Sequence, residues 1–417
     1  MPEKISVRRV AGDLLTCLKS MLLAAAVGIV VGAAATAFSY TLRAVNTARA
    51  QHPWLLFLLP VAGVAIAFLY HITDTDSPRG TNLVIAAVRQ EDVPPFKMAP
   101  LIFVSTAITH LCGGSAGREG AALQLGGALG AQMGRMLHLD SLHEAQIVMC
   151  GMAAAFSALF GTPVAAAVFA LELASVGIMQ YAALLPCIVS SATAALLAHA
   201  LGAESETIAL SPIDTTPVSL LQCAFLGLLC AGVGVIMCIV LHKSGHALTK
   251  LLPNPCVRAI VGGAVVIVLV YVFGTREYLG AGMDIVTRTV EEGWSHPAAF
   301  ILKLLFTAVT LGAGFKGGEI VPTFFVGAAF GCTVGPLFGL DAHFAAAIGT
   351  MCLFCAVTNC PVASLLLAFE LFGYGSPALF LVAIAISYTM SGYYSLYSSQ
   401  LFSTEKLEPV LSPHKSH

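Results

Sequence analysis

Charge is what this chain has least of. Only 10% of its 417 residues are Asp, Glu, Lys or Arg, against about 25% in soluble domains, which argues against a water-soluble globular protein. The formal net charge of −2 offers no basic surface, so a nucleic-acid partner is not expected. Zinc-type CxxC pairs are missing from the polar loops and no HExxH occurs, so neither a metal, a disulfide framework nor a cofactor is expected. Cys352 and Cys355 have CxxC spacing, but inside an apolar run where packing accounts for them.

What the chain has instead is apolar length. Hydrophobic residues make up 58% and the mean hydropathy is +0.87. A bilayer core of about 30 Å takes roughly 20 such residues per helix. The expected class is an all-α polytopic membrane protein with the lipid bilayer as its surroundings. Lys4, Arg8, Arg9 and Lys19 precede or open the first apolar run and favour a cytoplasmic N-terminus. "AAATA" at 33–37 has the look of a signal-cleavage site, but the apolar run through it is too long for a signal core, so a retained helix is expected. "GAESETIALSPIDTTP" (202–217) has acids and no Lys or Arg, which fits an external loop. The stretch 401–417 reads as a short cytoplasmic tail with no room for a regulatory domain.

The chain also reads twice. "FGTPVAAAVFALELA" (160–174) and "TNCPVASLLLAFELF" (358–372) each place Pro-Val-Ala nine residues before a glutamate, Glu172 or Glu370, with Pro163 and Pro361 198 residues apart. "GREGAALQLGGA" (117–128) aligns with "GGEIVPTFFVGA" (317–328), pairing Glu119 with Glu319; "GTNLV" (80–84) matches "GMDIV" (282–286) more weakly. Three matches in order imply a duplication, with one half over 13–203, the other over 217–400 and the acidic loop between. In transporters, breaks at equivalent places in two repeats point to a binding site near the midplane. Here the glycine-rich breaks at 112–120 and 312–318 each open a new helix. A helix start carries unpaired N–H groups and about half a positive charge, so two of them facing each other make an anion site without a lysine.

These motifs resemble the CLC family of chloride channels and proton-coupled anion antiporters. "GGSAGREG" is similar to that family's GSxGxEGP loop, "GGEIVP" to its GxFxP loop, and "TPVAAAVFALEL" to its NAPLAGxLFxxEE segment, in the right order over roughly 80–400. The resemblance implies a single transport domain (1–417) with a CLC-type inverted-repeat fold, broken helices meeting at the midplane, and a homodimer with one anion pathway per subunit. Against the chloride transporters, Gly80-Thr81-Asn82-Leu83-Val84 replaces Gly-Ser-Gly-Ile-Pro, Ala121 replaces the proline after the first loop, Glu319 is gained, Val321 precedes Pro322, and Leu173 replaces the inner proton-transfer glutamate. This set resembles the fluoride-specific branch. It implies export of fluoride in exchange for protons, the rivals being a chloride/proton antiporter or a passive chloride channel; the size and the lack of a regulatory domain suggest a bacterial inner membrane as location.

Site residues follow residue by residue. Capping a helix start gives Glu119 about 0.3–1 kcal/mol, less than the roughly 2.5–3.5 kcal/mol that a charge deep in a membrane costs; the resemblance makes it the gating and proton-coupling glutamate. Glu319 is the expected proton relay, with capping or a pair to Lys316 as the plainer alternative. Gly80, Thr81, Asn82, Gly117, Arg118, Gly120, Ile320 and Val321 form the expected anion-binding loops. Asn82 brings two N–H donors for a tightly hydrated ion, though asparagine also suits left-handed turns. Phe324 and Phe325 either line the path with their ring edges or pack the core. Tyr397 is the expected pore tyrosine, with Tyr393 and Tyr394 as rivals. Glu172 and Glu370 read as structural hydrogen-bonding groups, and Lys303 as a lysine snorkelling to the interface. "GGSAG" also fits the GxSxG pattern of serine hydrolases, with Ser115 and His110 as the pair an intramembrane protease would need.

Overall fold

The computed structural model describes residues 7–73 and 80–407; Lys4 and the end of the tail lie outside them, as do the side chains of Arg8 and Arg9. The first half holds α1 (Val7–Gln51), α2 (Leu59–Ile72), α3 (Thr81–Val88), α4 (Met98–Leu111), α5 (Glu119–Met136), α6 (Ser141–Phe160), α7 (Pro163–Glu172) and α8 (Leu184–Ala200). The second holds α9 (Pro217–Leu251), α10 (Pro255–Phe273), α11 (Met283–Glu292), α12 (Ala299–Gly312), α13 (Ile320–Val334), α14 (Ala342–Thr358), α15 (Pro361–Phe372) and α16 (Pro377–Met390). Seven helical segments among the described residues are long and apolar enough to cross a bilayer. Others are half-length: the ten residues of α7 rise about 15 Å at 1.5 Å per residue.

The breaks come from local chemistry. α6 ends on Gly161 at φ 72° and α14 on Asn359 at φ 57°, both left-handed, and each following helix starts on a proline that lacks only an N–H the helix start leaves unused. α7 and α15 then cap each other. Glu172 accepts the N–H groups of Val362 and Ala363 at 3.2 and 2.8 Å, while Glu370 accepts those of Val164 and Ala165 at 3.0 and 2.8 Å. These glutamates are structural, as their helix-end positions suggest.

Close helix crossings are built on missing side chains. A Cβ on Gly126 of α5 would sit 2.2 Å from the carbonyl oxygen of Gly151 in α6, and one on Gly327 of α13 2.4 Å from that of Gly349 in α14. The same device thus closes the equivalent helix pair in each half, by the small-residue packing that serves in lipid, where hydrophobic burial adds little.

α1 runs unbroken through Ala33–Ala37. At the start of the short tail, β2 (Leu401–Phe402) pairs in parallel with β1 (Ser175–Val176), and the Lys406 ammonium bonds Asn359 Oδ1, the Tyr388 carbonyl and Ser391 Oγ at 2.6, 2.8 and 3.1 Å. One expectation needs correction. Lys303 does not snorkel. It is fully buried and donates to the carbonyls of Tyr278 and Gly280 at 3.2 and 2.7 Å, with Phe325's ring 5.4 Å from its nitrogen. Its start-of-helix position suggested the interface, but the carbonyls at 278 and 280 accept its hydrogen bonds inside the protein.

Candidate anion and proton site

The two glycine-rich loops meet. Gly117 and Gly318 exchange both backbone hydrogen bonds, 2.6 and 2.7 Å long, as an isolated antiparallel bridge. Only small residues permit this, since a Cβ on Gly317 would lie 2.4 Å from Ala116 Cβ. The bridge brings the N-terminal ends of α5 and α13 together. α3 joins them: the Thr81 hydroxyl donates to the Gly120 carbonyl at 3.3 Å and receives the Gln124 amide at 3.3 Å. Three helix starts, each with unpaired N–H groups, therefore converge, as an anion requires in the absence of water.

Glu119 is fully buried in the first turn of α5. Its carboxylate accepts the backbone N–H of Arg118 at 3.0 Å and the guanidinium Nε at 3.3 Å. Arg118 extends its Nη2 to Glu206 at 2.5 Å. Arg118 and Glu206 line an outer cavity of about 720 Å³ with Arg43, Arg49, Arg276 and Arg288, Glu277, Asp284 and His110. Five arginines face three carboxylates there, an excess of positive charge that attracts anions. Sequence reasoning missed this cavity. The acidic stretch was read only as an external loop, although it supplies Glu206.

A second, inner cavity of about 200 Å³ is lined by Gly80, Thr81, Asn82, Glu319 and Tyr397, with Lys316, Tyr70 and Gln124. Glu319 is half-buried at the start of α13 and approaches Gly120 so closely that a Cβ there would lie 3.3 Å from its Oε2. The alternative of a pair with Lys316 is not what the side chains make: the Lys316 ammonium sits 4.5 Å from the Tyr70 ring centre. Among the described residues no ion pair or side-chain donor to the Glu319 carboxylate is formed. The Tyr397 hydroxyl is buried and has no hydrogen-bond partner, whereas Tyr393 and Tyr394 are 57% and 47% exposed. Asn82 contributes differently from a free donor. Its Oδ1 accepts the Ser399 N–H at 2.9 Å, tying the loop at 80–84 to the segment that bears Tyr397; that bond fixes the amide so that its NH₂ group faces away from Ser399.

Ile320 and Val321 are fully buried in the first turn of α13. Phe324 and Phe325 separate: Phe324 packs edge-on to Phe354 at 5.3 Å and near Phe160 at 5.9 Å, while Phe325 meets Tyr278 edge-on at 6.0 Å and abuts Gly282 of the outer cavity. Ser115 and His110 make no catalytic pair. The Ser115 hydroxyl bonds Thr307 at 3.0 Å, and His110 Nε2 lies 3.4 Å from the Gly117 carbonyl. The protease alternative has no nucleophile–base contact.

The comparisons with known proteins agree with this architecture. Residues 62–392 match the family model described as voltage gated chloride channel. The chain is 33% identical over 390 residues, 92% of its length and 86% of the relative's, to a protein of Pseudomonas syringae pv. tomato named chloride/fluoride channel protein. A crystal structure described as a CLC-type fluoride/proton antiporter superposes with a TM-score of 0.90 at 32% identity, over 93% of this chain and 98% of that one. A slow cyanobacterial Cl⁻/H⁺ antiporter gives a TM-score of 0.77 at 19% identity, over 89% and 94%, a likeness of fold. The chain is a multi-pass membrane protein that transports ions and is not an enzyme, and it belongs to the voltage gated chloride channel (CLC) family.

Proposed function

We propose that this protein exchanges fluoride for protons across the membrane, with Glu119 as gate and Glu319 as proton relay. The observation that carries the reading is that the two bridged loops give their acids different outlooks: Glu119 is tied through Arg118 to the outer cavity, and Glu319 lines the inner one. Ionised, Glu119 competes with an anion for the convergent helix starts; protonated, it leaves them and carries its proton. Leu173 has no titratable group, so the inner proton step falls to Glu319.

Fluoride is small and holds its water tightly, so dehydrating it needs several strong donors at once. The backbone N–H groups of three helix starts, the Thr81 hydroxyl, the Asn82 amide and the unpartnered Tyr397 hydroxyl supply that set. The names of the relative and of the superposed antiporter support the same ion. The two repeats at 13–203 and 217–400 form one transport unit. α7, α8, α15 and α16 turn apolar side chains outward, among them Val164, Ile188, Val362 and Leu381, a surface suited to a homodimer. The bacterial inner membrane is the expected setting, with both termini cytoplasmic.

Purified protein in liposomes, followed with fluoride-selective and chloride-selective electrodes, tests the ion. Fluoride efflux exceeding chloride efflux by more than about tenfold, or about 1.4 kcal/mol, is expected. Comparable fluxes would leave a chloride/proton antiporter, and chloride flux without proton movement a passive channel.

A further inference from the structure

The function above uses Glu119 and leaves a third carboxylate unexplained. Glu206 lies in the connection between α8 and α9, far from the glycine-rich loops in sequence, yet its Oε1 is 2.5 Å from Arg118 Nη2. It is held there by its own backbone, whose N–H donates to the Phe160 carbonyl at the end of α6 at 3.0 Å. Arg118 spans the gap, its Nε on Glu119 at 3.3 Å and its Nη2 on Glu206. The side chains go from fully buried at Glu119, through 11% exposed at Arg118, to 23% exposed at Glu206. The three groups form one line from the buried gate to the outer cavity.

We propose that Glu206 is a positioning residue for the gate: by holding Arg118 in this bridge it keeps Glu119 protonatable and prevents Arg118 from capturing the transported anion. The argument is one of charge. With Glu119 ionised the trio carries one negative charge, and with Glu119 protonated it is neutral. Without Glu206, protonating Glu119 leaves a lone guanidinium in a poorly solvated place, which opposes protonation and attracts the anion. A gate that binds its proton late and its anion tightly turns over slowly.

The proposal rests on the gate reading of Glu119. Other charged groups face the trio from every neighbouring element: Arg43 and Arg49 of α1, His110 of α4, Arg276 and Glu277 between α10 and α11, and Asp284 and Arg288 of α11, with Lys303 of α12 near His110 and Glu319 across the bridge. Arg43 already pairs with Glu204 at 3.7 Å and Arg288 with Glu277 at 3.4 Å. All of these are shared by wild type and variant, so their titration drops out of the difference between the two.

The test is fluoride efflux from liposomes at matched internal and external pH across the near-neutral range, giving the pH of half-maximal exchange and, at fixed pH, the KM for fluoride. In Glu206→Gln the half-maximal pH is expected to move down by about one unit, the scale of one charge within hydrogen-bonded reach, and the KM to fall severalfold with kcat. Arg118→Gln moves the half-maximal pH upward. Glu206→Asp restores most of the wild-type profile. Glu277→Gln removes a carboxylate from the same cavity but not from the trio, and leaves the midpoint in place. A purely structural role for Glu206 predicts no such pair of opposite shifts. A Glu206→Gln midpoint coinciding with wild type, or an equal shift in Glu277→Gln, overturns the proposal; should Glu206→Gln fail to elute as folded protein, Glu206→Ala carries the same expectation. Glu119→Gln run in parallel separates the failures: loss of proton coupling there with an unmoved Glu206→Gln profile rejects only the positioning role, while retained coupling rejects the gate itself.

Discussion

The loops that open α5 and α13 share a plan and differ in what holds their acids. Glu119 is fully buried and clamped, by a backbone N–H and a guanidinium. Glu319 is half-buried, faces a cavity of about 200 Å³ and receives no side-chain donor among the described residues. The two helix starts are alike in sequence, and their surroundings differ. A clamped carboxylate is set to compete with an anion at one place; an unclamped one beside a cavity is free to take up and release a proton.

The largest effect expected from breaking this comparison is at Glu319. Glu319→Gln removes the carboxylate that lines the inner cavity, and with Leu173 apolar it is expected to slow coupled exchange about a hundredfold, the lower range for loss of an acid–base group. The readout is fluoride-driven proton flux, with a folded protein by size exclusion; an unchanged rate would make Glu319 a cap. Next comes the ion preference. Asn82→Gly removes both the amide donor and the anchor to Ser399, and the fluoride-over-chloride flux ratio is expected to fall about tenfold, or about 1.4 kcal/mol. Tyr397→Phe is smaller, because its hydroxyl has no protein partner to lose; a severalfold slower fluoride efflux with intact stability is expected, and an unchanged rate would remove Tyr397 from the path. Glu370→Ala, which leaves two N–H groups of α7 unpaired, is expected to cost about 1–3 kcal/mol of stability with transport selectivity unchanged, as read by thermal unfolding in detergent and the electrode ratio.

What the sequence made legible was local. The helix breaks at Gly161–Pro163 and Asn359–Pro361 can be read because a left-handed residue and a proline act within a few positions. Glu119 stands out because a carboxylate in an apolar stretch needs a reason. Glu206 could not be read, since its partner lies 88 residues away and acids in loops are ordinary. Lys303 was misread for the same cause: its acceptors lie 25 and 23 residues upstream, beyond any helical spacing. Three tyrosines within five residues looked alike in sequence, and only burial sets Tyr397 apart. Asn82 was read as a donor, while its oxygen turned out to hold the Tyr397 segment.

The central claim is that Glu119 is the group that ties anion movement to proton movement. Liposomes loaded with fluoride and holding Glu119→Gln, a side chain of the same shape that never ionises, test it most directly through external pH as fluoride runs down its gradient. Wild type is expected to drive protons inward against their gradient, and Glu119→Gln to move none while fluoride still crosses or stops with it. Uphill proton uptake at the wild-type rate in Glu119→Gln would place the coupling elsewhere and overturn the account.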